Sequence, residues 1–225
     1  MKYTPNLSRS ELKTGFIAMT VCLLVLPSIL CLVLPDESAA RLTFITHFVN
    51  AGVIVYILRR FLLRNLKIAL VHPFWTLYYA ALGYTAHLAL SEIVMFIAYS
   101  LCPDFLNLND QNVTAQLGQE FGLMAIAVVF LAPVAEECFF RGLLLRGLYD
   151  RSPVLAWVLS AGLFAAVHVV AYLGLYSPVE LLVSFVQYLP AGFALGFAYQ
   201  RGGSIFCPIL AHMIVNAMAL WGTVA

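Results

Sequence analysis

Residues 121–140 read FGLMAIAVVFLAPVAEECFF, and the only charged residues in this stretch are Glu136 and Glu137. A helix of about 20 apolar residues covers ~30 Å, the thickness of the hydrocarbon core of a bilayer. Other long apolar runs lie at roughly 15–34, 42–58, 74–101, 153–173, 179–199 and 204–221. The sequence therefore predicts an all-α fold, a polytopic transmembrane helical bundle of about seven spans.

The composition supports a membrane protein. Of 225 residues, 63% are hydrophobic and only 10% are charged, whereas a soluble domain carries about 25% charged residues. A net charge of +1 excludes most nucleic-acid-binding modules, and this apolar content excludes an intrinsically disordered chain. We expect one integral membrane domain over residues 1–225, with the lipid bilayer as a partner and no nucleic acid.

The basic residues predict the orientation. If the N-terminus is cytoplasmic, all Lys and Arg residues except Arg41 fall on the inner side, a strong positive-inside bias. The C-terminus is then outside, and the segment Pro103–Gln119 is expected to be the main solvated outer connection. Ser152 before Pro153, and Ser177 three residues before Glu180, predict two helix starts.

Charges within the apolar runs mark candidate functional residues, because burying a charge in a membrane is costly. They are Glu92, Glu136, Glu137 and Arg141. Glu137 and Arg141 are four residues apart, so on a helix they meet on one face. Glu136 is rotated about 100° from Glu137 and has no local partner, which suits a general base. Glu92 either faces a cavity or pairs across helices.

Two histidines lie deep in the apolar sequence. His168 follows Phe164 by four residues, and His212 precedes Asn216 by four. Such groups can orient a carbonyl, donate hydrogen bonds to an oxyanion or ligate a metal. Three spans carry polar groups whose burial in the membrane is unfavourable when each is isolated. We therefore expect these groups to share one cavity. His47, His72 and His87 are interpreted as residues without a functional role, and His72 lies at a span boundary.

In this order, Glu-Glu-x-x-x-Arg, Phe-x-x-x-His and His-x-x-x-Asn resemble the CPBP intramembrane proteases. That family includes CAAX prenyl endopeptidases of the Rce1 type and bacteriocin-processing or self-immunity proteins. The resemblance covers roughly residues 130–220, the expected catalytic core. It implies that Glu136 activates the attacking water, while Glu137 and Arg141 hold the geometry of the site. It also implies that His168 positions the water or a metal, and that His212 and Asn216 stabilise the oxyanion.

The resemblance leaves the cofactor and the substrate open. Zn²⁺ held by Glu136, His168 and His212 is compatible with the residues, and so is a metal-independent mechanism driven by glutamate. The implied substrate is a peptide or small protein at the membrane, of the pheromone, bacteriocin or CAAX-like kind. A compact chain of this sort is expected in the bacterial cytoplasmic membrane.

Two other functions are compatible with the same residues. A non-catalytic self-immunity or scaffold protein could use the polar groups only to hold the bundle together. A proton-coupled transporter could use Glu92, Glu136 and Glu137 as a relay.

Overall fold

The computed structural model describes residues 5–102 and 107–224, so the predictions that fall on Lys2 and on residues 103–106 lie outside it. Within the described residues every regular element is a helix, which confirms the all-α prediction. In chain order the helices are α1 Arg9–Leu24, α2 Leu26–Val33, α3 Ala39–Ile57, α4 Arg59–Val71, α5 Pro73–Leu101, α6 Leu108–Gln119, α7 Phe121–Tyr149, α8 Pro153–Val167, α9 Pro178–Gly202 and α10 Phe206–Val224.

Five of the described helices are long and apolar enough to cross a membrane, and the pair α1–α2, bent by 44°, is a sixth candidate. These six coincide with six of the predicted apolar runs. The remaining run, 153–173, forms only the 15-residue helix α8. That helix is about 22 Å long, less than the hydrocarbon thickness. The chain is an all-helical integral membrane protein, and the N-in, C-out orientation stays a prediction.

α8 is shorter than predicted because its last turn tightens. The backbone N–H of His168 donates to the carbonyl of Ala165, three residues back, at 3.3 Å. A 3₁₀ turn at Val170–Tyr172 follows, and Gly174 then adopts a φ of 80°. Glycine enters this left-handed region without steric cost. The chain therefore changes direction directly after His168, and the His168 ring lies at a helix end.

The predicted solvated connection is wrong for residues 108–119, which form helix α6. Asn107 begins the helix, since its side-chain oxygen accepts hydrogen bonds from the backbone N–H groups of Asn109 and Asp110 at 3.0 and 3.2 Å. Such an N-cap satisfies donors that lack a partner within the helix. α6 buries one side in the protein, through Leu108, Gln116 and Leu117. Its few apolar residues gave too weak a pattern to predict it.

The two predicted helix starts are confirmed. The Ser152 hydroxyl accepts from the backbone N–H of Leu155 at 3.3 Å at the start of α8. At the start of α9, the backbone N–H of Glu180 donates to the Ser177 hydroxyl at 3.3 Å, and the N–H of Ser177 donates to the Glu180 carboxylate at 2.9 Å. Both caps are local in sequence, which is why the sequence predicts them.

α7 is the central helix and packs against α1, α3, α8 and α10. Wider π-helical turns at Ala127–Leu131 and Cys138–Arg146 flank an α-helical segment, Ala132–Glu137. Pro133 has no backbone N–H, so the turn before it loses an ordinary i→i−4 bond, and a π-helical turn accommodates that loss. All residues of Cys138–Arg146 are buried. The two adjacent glutamates thus lie between two π-helical turns, in the middle of the bundle.

Candidate active site

A cavity of about 610 Å³ lies beside α7. Its lining brings together residues that are far apart in the sequence, namely Glu136, Phe164, His168, His212 and Asn216. They come from α7, from α8 and the turn that follows it, and from α10. The structure therefore places the polar groups of three late segments around one space, as the sequence led us to expect.

Glu136 and His168 face each other across this cavity. The Oε2 atom of Glu136 lies 3.9 Å from the Nε2 atom of His168, too far for a direct hydrogen bond. Among the described residues, that Oε2 atom has no hydrogen-bond partner. One water molecule can hydrogen-bond to both atoms at this separation. The two side chains are 12% and 15% exposed, so the space between them is sheltered but reachable.

Contacts on both faces orient the His168 ring. Its Nδ1 atom lies 2.7 Å from the carbonyl oxygen of Phe164. A carbonyl can only accept, so Nδ1 carries the proton, and in the neutral ring Nε2 is an acceptor that faces Glu136. The Phe164 ring centroid lies 4.8 Å from the imidazole, and the Tyr188 ring stacks on it at 4.1 Å with an interplanar angle of 19°. The tautomer and the direction of the ring are both set by the fold.

Glu137 is the centre of a buried polar triad. Its Oε1 atom accepts a hydrogen bond from Nη1 of Arg141 at 3.0 Å and another from Nδ1 of His212 at 2.8 Å. Glu137 and Arg141 are fully buried, and His212 is 5% exposed. The predicted contact between Glu137 and Arg141 is confirmed. The tie to His212, from another helix, was not predicted.

Arg141 joins the triad to α9. Its Nη2 atom donates to the backbone carbonyls of Ala191 and Gly192, both at 3.1 Å. The guanidinium carbon also lies 4.5 Å from the centroid of the Phe164 ring, a favourable cation–π distance. A buried guanidinium needs partners of this kind, because an unpaired buried charge costs several kcal/mol. Arg141 therefore supports the site from outside the cavity.

His212 and Asn216 lie one helical turn apart on α10 and line the cavity together. The Nδ2 group of Asn216 donates to the backbone carbonyl of Val128 at 2.7 Å. That group carries two N–H donors, so one is held by Val128 and the other is left for a ligand. The Val128 carbonyl belongs to the first π-helical turn of α7. The irregular helix thus fixes the orientation of the Asn216 amide.

The predicted zinc ligands do not fit an ion in this arrangement. Within the described ranges, no group of three or more His, Cys, Asp or Glu side chains is placed to share a metal ion. Zinc needs ligand atoms at about 2.0–2.2 Å from one point. Glu136, His168 and His212 line the same cavity but do not converge to that extent.

A second polar cluster on the cavity wall was not predicted. The Tyr188 hydroxyl donates to Oδ1 of Asp110 at 3.0 Å and accepts from Nδ2 of Asn109 at 3.0 Å. Nδ2 of Asn107 donates to the Gln187 side chain at 2.7 Å. These bonds fasten α6 to α9 beside His168. Gln187 and Tyr188 are adjacent polar residues inside an apolar run, a signal that could have marked them.

Residues of the early helices also line this cavity, among them His47, Asn50 and His87. The interpretation of these two histidines as residues without a functional role is therefore incomplete. His87 also lies 3.2 Å from the hydroxyl of Ser91, four residues on. Glu92 differs from all of these, since its side chain is exposed and it is not among the residues that line the cavity.

The comparisons with known proteins agree with these motifs. Residues 118–218 match the family described as Type II CAAX prenyl endopeptidase Rce1-like. The chain is 29% identical to "Putative membrane peptidase YdiL" of Bacillus subtilis (strain 168) over 103 residues, which cover 45% of this chain and 38% of that protein. It is 27% identical to "Uncharacterized protein YyaK" of the same strain over 143 residues, or 60% of this chain and 44% of the relative. The matches thus span less than half the length of either relative. No solved structure matches the chain.

The matched stretch contains all seven residues of the three motifs. Five of them line the cavity, and the other two, Glu137 and Arg141, are bonded to each other, with Glu137 also bonded to the cavity residue His212. Of the helices that carry them, α7 and α10 are long and apolar enough to span a membrane. Through these residues, the chain is similar to the Type II CAAX prenyl endopeptidase Rce1-like family over a little less than half of its length.

Proposed function

We propose that this protein is an intramembrane endopeptidase in which Glu136 activates a water molecule for attack on a peptide bond. The observation that carries this proposal is the pair formed by Glu136 and His168, whose Oε2 and Nε2 atoms lie 3.9 Å apart across the cavity. Both atoms can accept a hydrogen bond from the same water. That leaves the lone pairs of the water oxygen free to attack a carbonyl carbon.

The reaction has two proton transfers. In the first, the water oxygen bonds to the carbonyl carbon and Glu136 takes one water proton, which gives a tetrahedral intermediate with a negatively charged oxygen. In the second, Glu136 gives that proton to the amide nitrogen as the carbon–nitrogen bond breaks. The products are a fragment with a new carboxylic acid, which then loses its proton to solvent, and a fragment with a new amine. General acid–base catalysis of this kind contributes roughly 10²- to 10⁴-fold in rate.

His212 and Asn216 are proposed to stabilise the oxyanion. Asn216 has one amide N–H left for the ligand, because Val128 holds the other. His212 keeps Nδ1 on the Glu137 carboxylate, so a protonated ring presents Nε2–H to the cavity. Donors fixed in advance are effective because they do not have to reorient as charge develops. Glu137 and Arg141 act through His212, as positioning residues.

The substrate is proposed to be a peptide or a small protein associated with the membrane. The description of the matching family suggests a CAAX-like sequence, and the resemblance of the motifs suggests pheromone- or bacteriocin-type peptides as further candidates. The Bacillus subtilis relatives suggest a bacterial cytoplasmic membrane. The cavity proposed to receive it is lined by residues of α6 and of the turn after α8 as well as by Glu136.

The test is cleavage of internally quenched peptides by the purified protein in liposomes, compared with Glu136→Gln and His168→Ala. Both variants should lose at least about 100-fold in kcat. Glu92→Gln is the matched control, a carboxylate in a span but away from the cavity, and should keep full activity. Cleavage that survives in Glu136→Gln would overturn the assignment of the base.

Three measurements separate the alternatives. If zinc is required, activity should follow the bound zinc content and disappear on complete chelation, and this result would replace the glutamate-only mechanism. If the protein is a transporter, Glu92→Gln should impair solute flux, with no peptide cleaved by the wild type. If it is a scaffold or immunity protein, its protective phenotype should persist in both Glu136→Gln and His168→Ala.

A further inference from the structure

Two buried amide oxygens on the cavity wall have no partner among the described residues. They are Oδ1 of Asn50, on α3, and Oε1 of Gln116, on α6. The two residues are only 1% and 6% exposed, and both line the cavity that holds Glu136. Leaving a buried acceptor unsatisfied is unfavourable, and native proteins contain few such groups. Each therefore indicates a donor that arrives with a ligand.

The two amides belong to one connected wall. α3 and α6 pack together, and the backbone N–H of Ala40 donates to the side-chain oxygen of Gln119 at 3.3 Å. Gln119 is one helical turn beyond Gln116, and Ala40 is at the start of the helix that carries Asn50. The positions of both free oxygens are therefore set by the packing of two helices.

The α6–α9 side of the cavity behaves differently. There Asn107 and Gln187 satisfy each other at 2.7 Å, and the Tyr188 hydroxyl is bonded to α6. Polar groups on that side hydrogen-bond to one another, whereas the unpaired acceptors on the α3–α6 wall indicate a ligand that supplies the donors.

The chemistry of the acceptors selects the ligand. Amide oxygens are neutral, so they match neutral N–H donors better than they match cations, which favour carboxylates. An acyl chain has no donors. A peptide backbone offers one N–H per residue, and in an extended strand successive N–H groups are free because no internal helix bond uses them.

We infer that Asn50 and Gln116 form a subsite that accepts hydrogen bonds from the backbone N–H groups of an extended peptide whose scissile bond lies at Glu136. This inference rests on the proposed function and adds the conformation of the substrate. A helical segment cannot fill the subsite, because its N–H groups are bonded internally. The substrate is thus an extended or locally unwound stretch of peptide.

The experiment pairs variants of the protein with variants of the peptide. A quenched peptide that the wild type cleaves is remade with one N-methyl group at each backbone nitrogen in turn. We expect Asn50→Leu and Gln116→Met each to raise KM about three- to tenfold with little change in kcat. In the wild type, methylation of the nitrogen that bonds to the substituted amide should raise KM by the same factor. In the variant, the same methylation should cause no further rise in KM. If the effects of substitution and methylation on KM are independent at every position, only water bonds to these oxygens, and the subsite is refuted.

Two controls keep the result interpretable. Gln187→Met also removes a cavity amide, but one that is already paired, so it should show no coupling to any methylated position. Asn50→Leu should not lower the unfolding temperature of the free protein, because an unpaired acceptor contributes nothing to its stability. A lower unfolding temperature would instead indicate a structural role for Asn50.

Failure of the proposed function would be recognised separately. If the wild type cleaves none of the peptides, their binding to Glu136→Gln can still be measured by fluorescence anisotropy. Coupling between Asn50→Leu and one methylated position in that assay would support the subsite without the protease chemistry. Absence of coupling in both assays would refute it.

Discussion

Nδ1 of His212 and Oε1 of Glu137 lie 2.8 Å apart in the interior of the bundle, and the same oxygen accepts from Arg141. One carboxylate atom therefore ties the second histidine of the site to the buried guanidinium. The neighbouring Glu136 has no such ties, and its Oε2 atom is unpaired among the described residues. The two adjacent glutamates differ in environment, so they should respond differently to the same substitution.

Glu137→Gln should destabilise the protein by about 3–5 kcal/mol, because it leaves the buried charge of Arg141 without a counter-charge. Activity should also fall, since His212 loses the carboxylate that orients it. Unfolding in detergent, followed by circular dichroism, measures the first effect, and peptide cleavage the second. Glu136→Gln is the control and should lose activity with almost no loss of stability. Equal stability of both variants would contradict the assigned triad.

Arg141→Lys should lower stability by roughly 2–4 kcal/mol although the charge is kept. An ammonium group cannot reproduce the planar fork that reaches Glu137 and the carbonyls of Ala191 and Gly192 at once. The matched control is Arg41→Lys, whose partner Glu37 lies 3.2 Å away in a pair with side chains 52% and 37% exposed. Exposed pairs contribute about 0–1 kcal/mol, so this control should be close to neutral.

Tyr188→Phe and Tyr188→Leu should separate two roles of this side chain. Phenylalanine keeps the ring stacked on His168 but loses the hydroxyl that holds Asp110, so hydrogen exchange in α6 should accelerate while kcat stays within about twofold. Leucine also removes the stacked ring, and kcat should then fall about tenfold because the imidazole is less well oriented. A kcat that is equally low in both variants would show that the stack has no effect.

Gly192→Ala should destabilise the contact between α8 and α9. A Cβ atom at this position would come within 2.9 Å of the Cα and Cβ atoms of Ala161 and 3.1 Å of its carbonyl oxygen. Overpacking of this kind typically costs about 1–3 kcal/mol, and here it also displaces a carbonyl that Arg141 binds. Gly162→Ala, on α8 with nothing within 4 Å, is the control and should be neutral or slightly stabilising.

Much of the fold could be predicted because the deciding signals are local. Apolar length predicted most of the spans, and the caps at Ser152 and Ser177 depend on residues three positions apart. The contact between Glu137 and Arg141 follows from helical spacing. α6 was missed because its polar composition is that of a loop, and α8 was predicted too long because apolar sequence continues past the turn at His168.

The sequence by itself determined that the protein is helical and membrane-embedded, and which late segments carry its polar residues. Only the tertiary structure decided which polar atoms meet. His212 reaches Glu137 across 75 residues, and Tyr188 reaches Asp110 across 78. The spans are apolar all round, so hydrophobic periodicity does not mark the face that turns inward. Packing around α7 makes that choice, and with it places Asn50, Gln116 and Glu136 around one cavity.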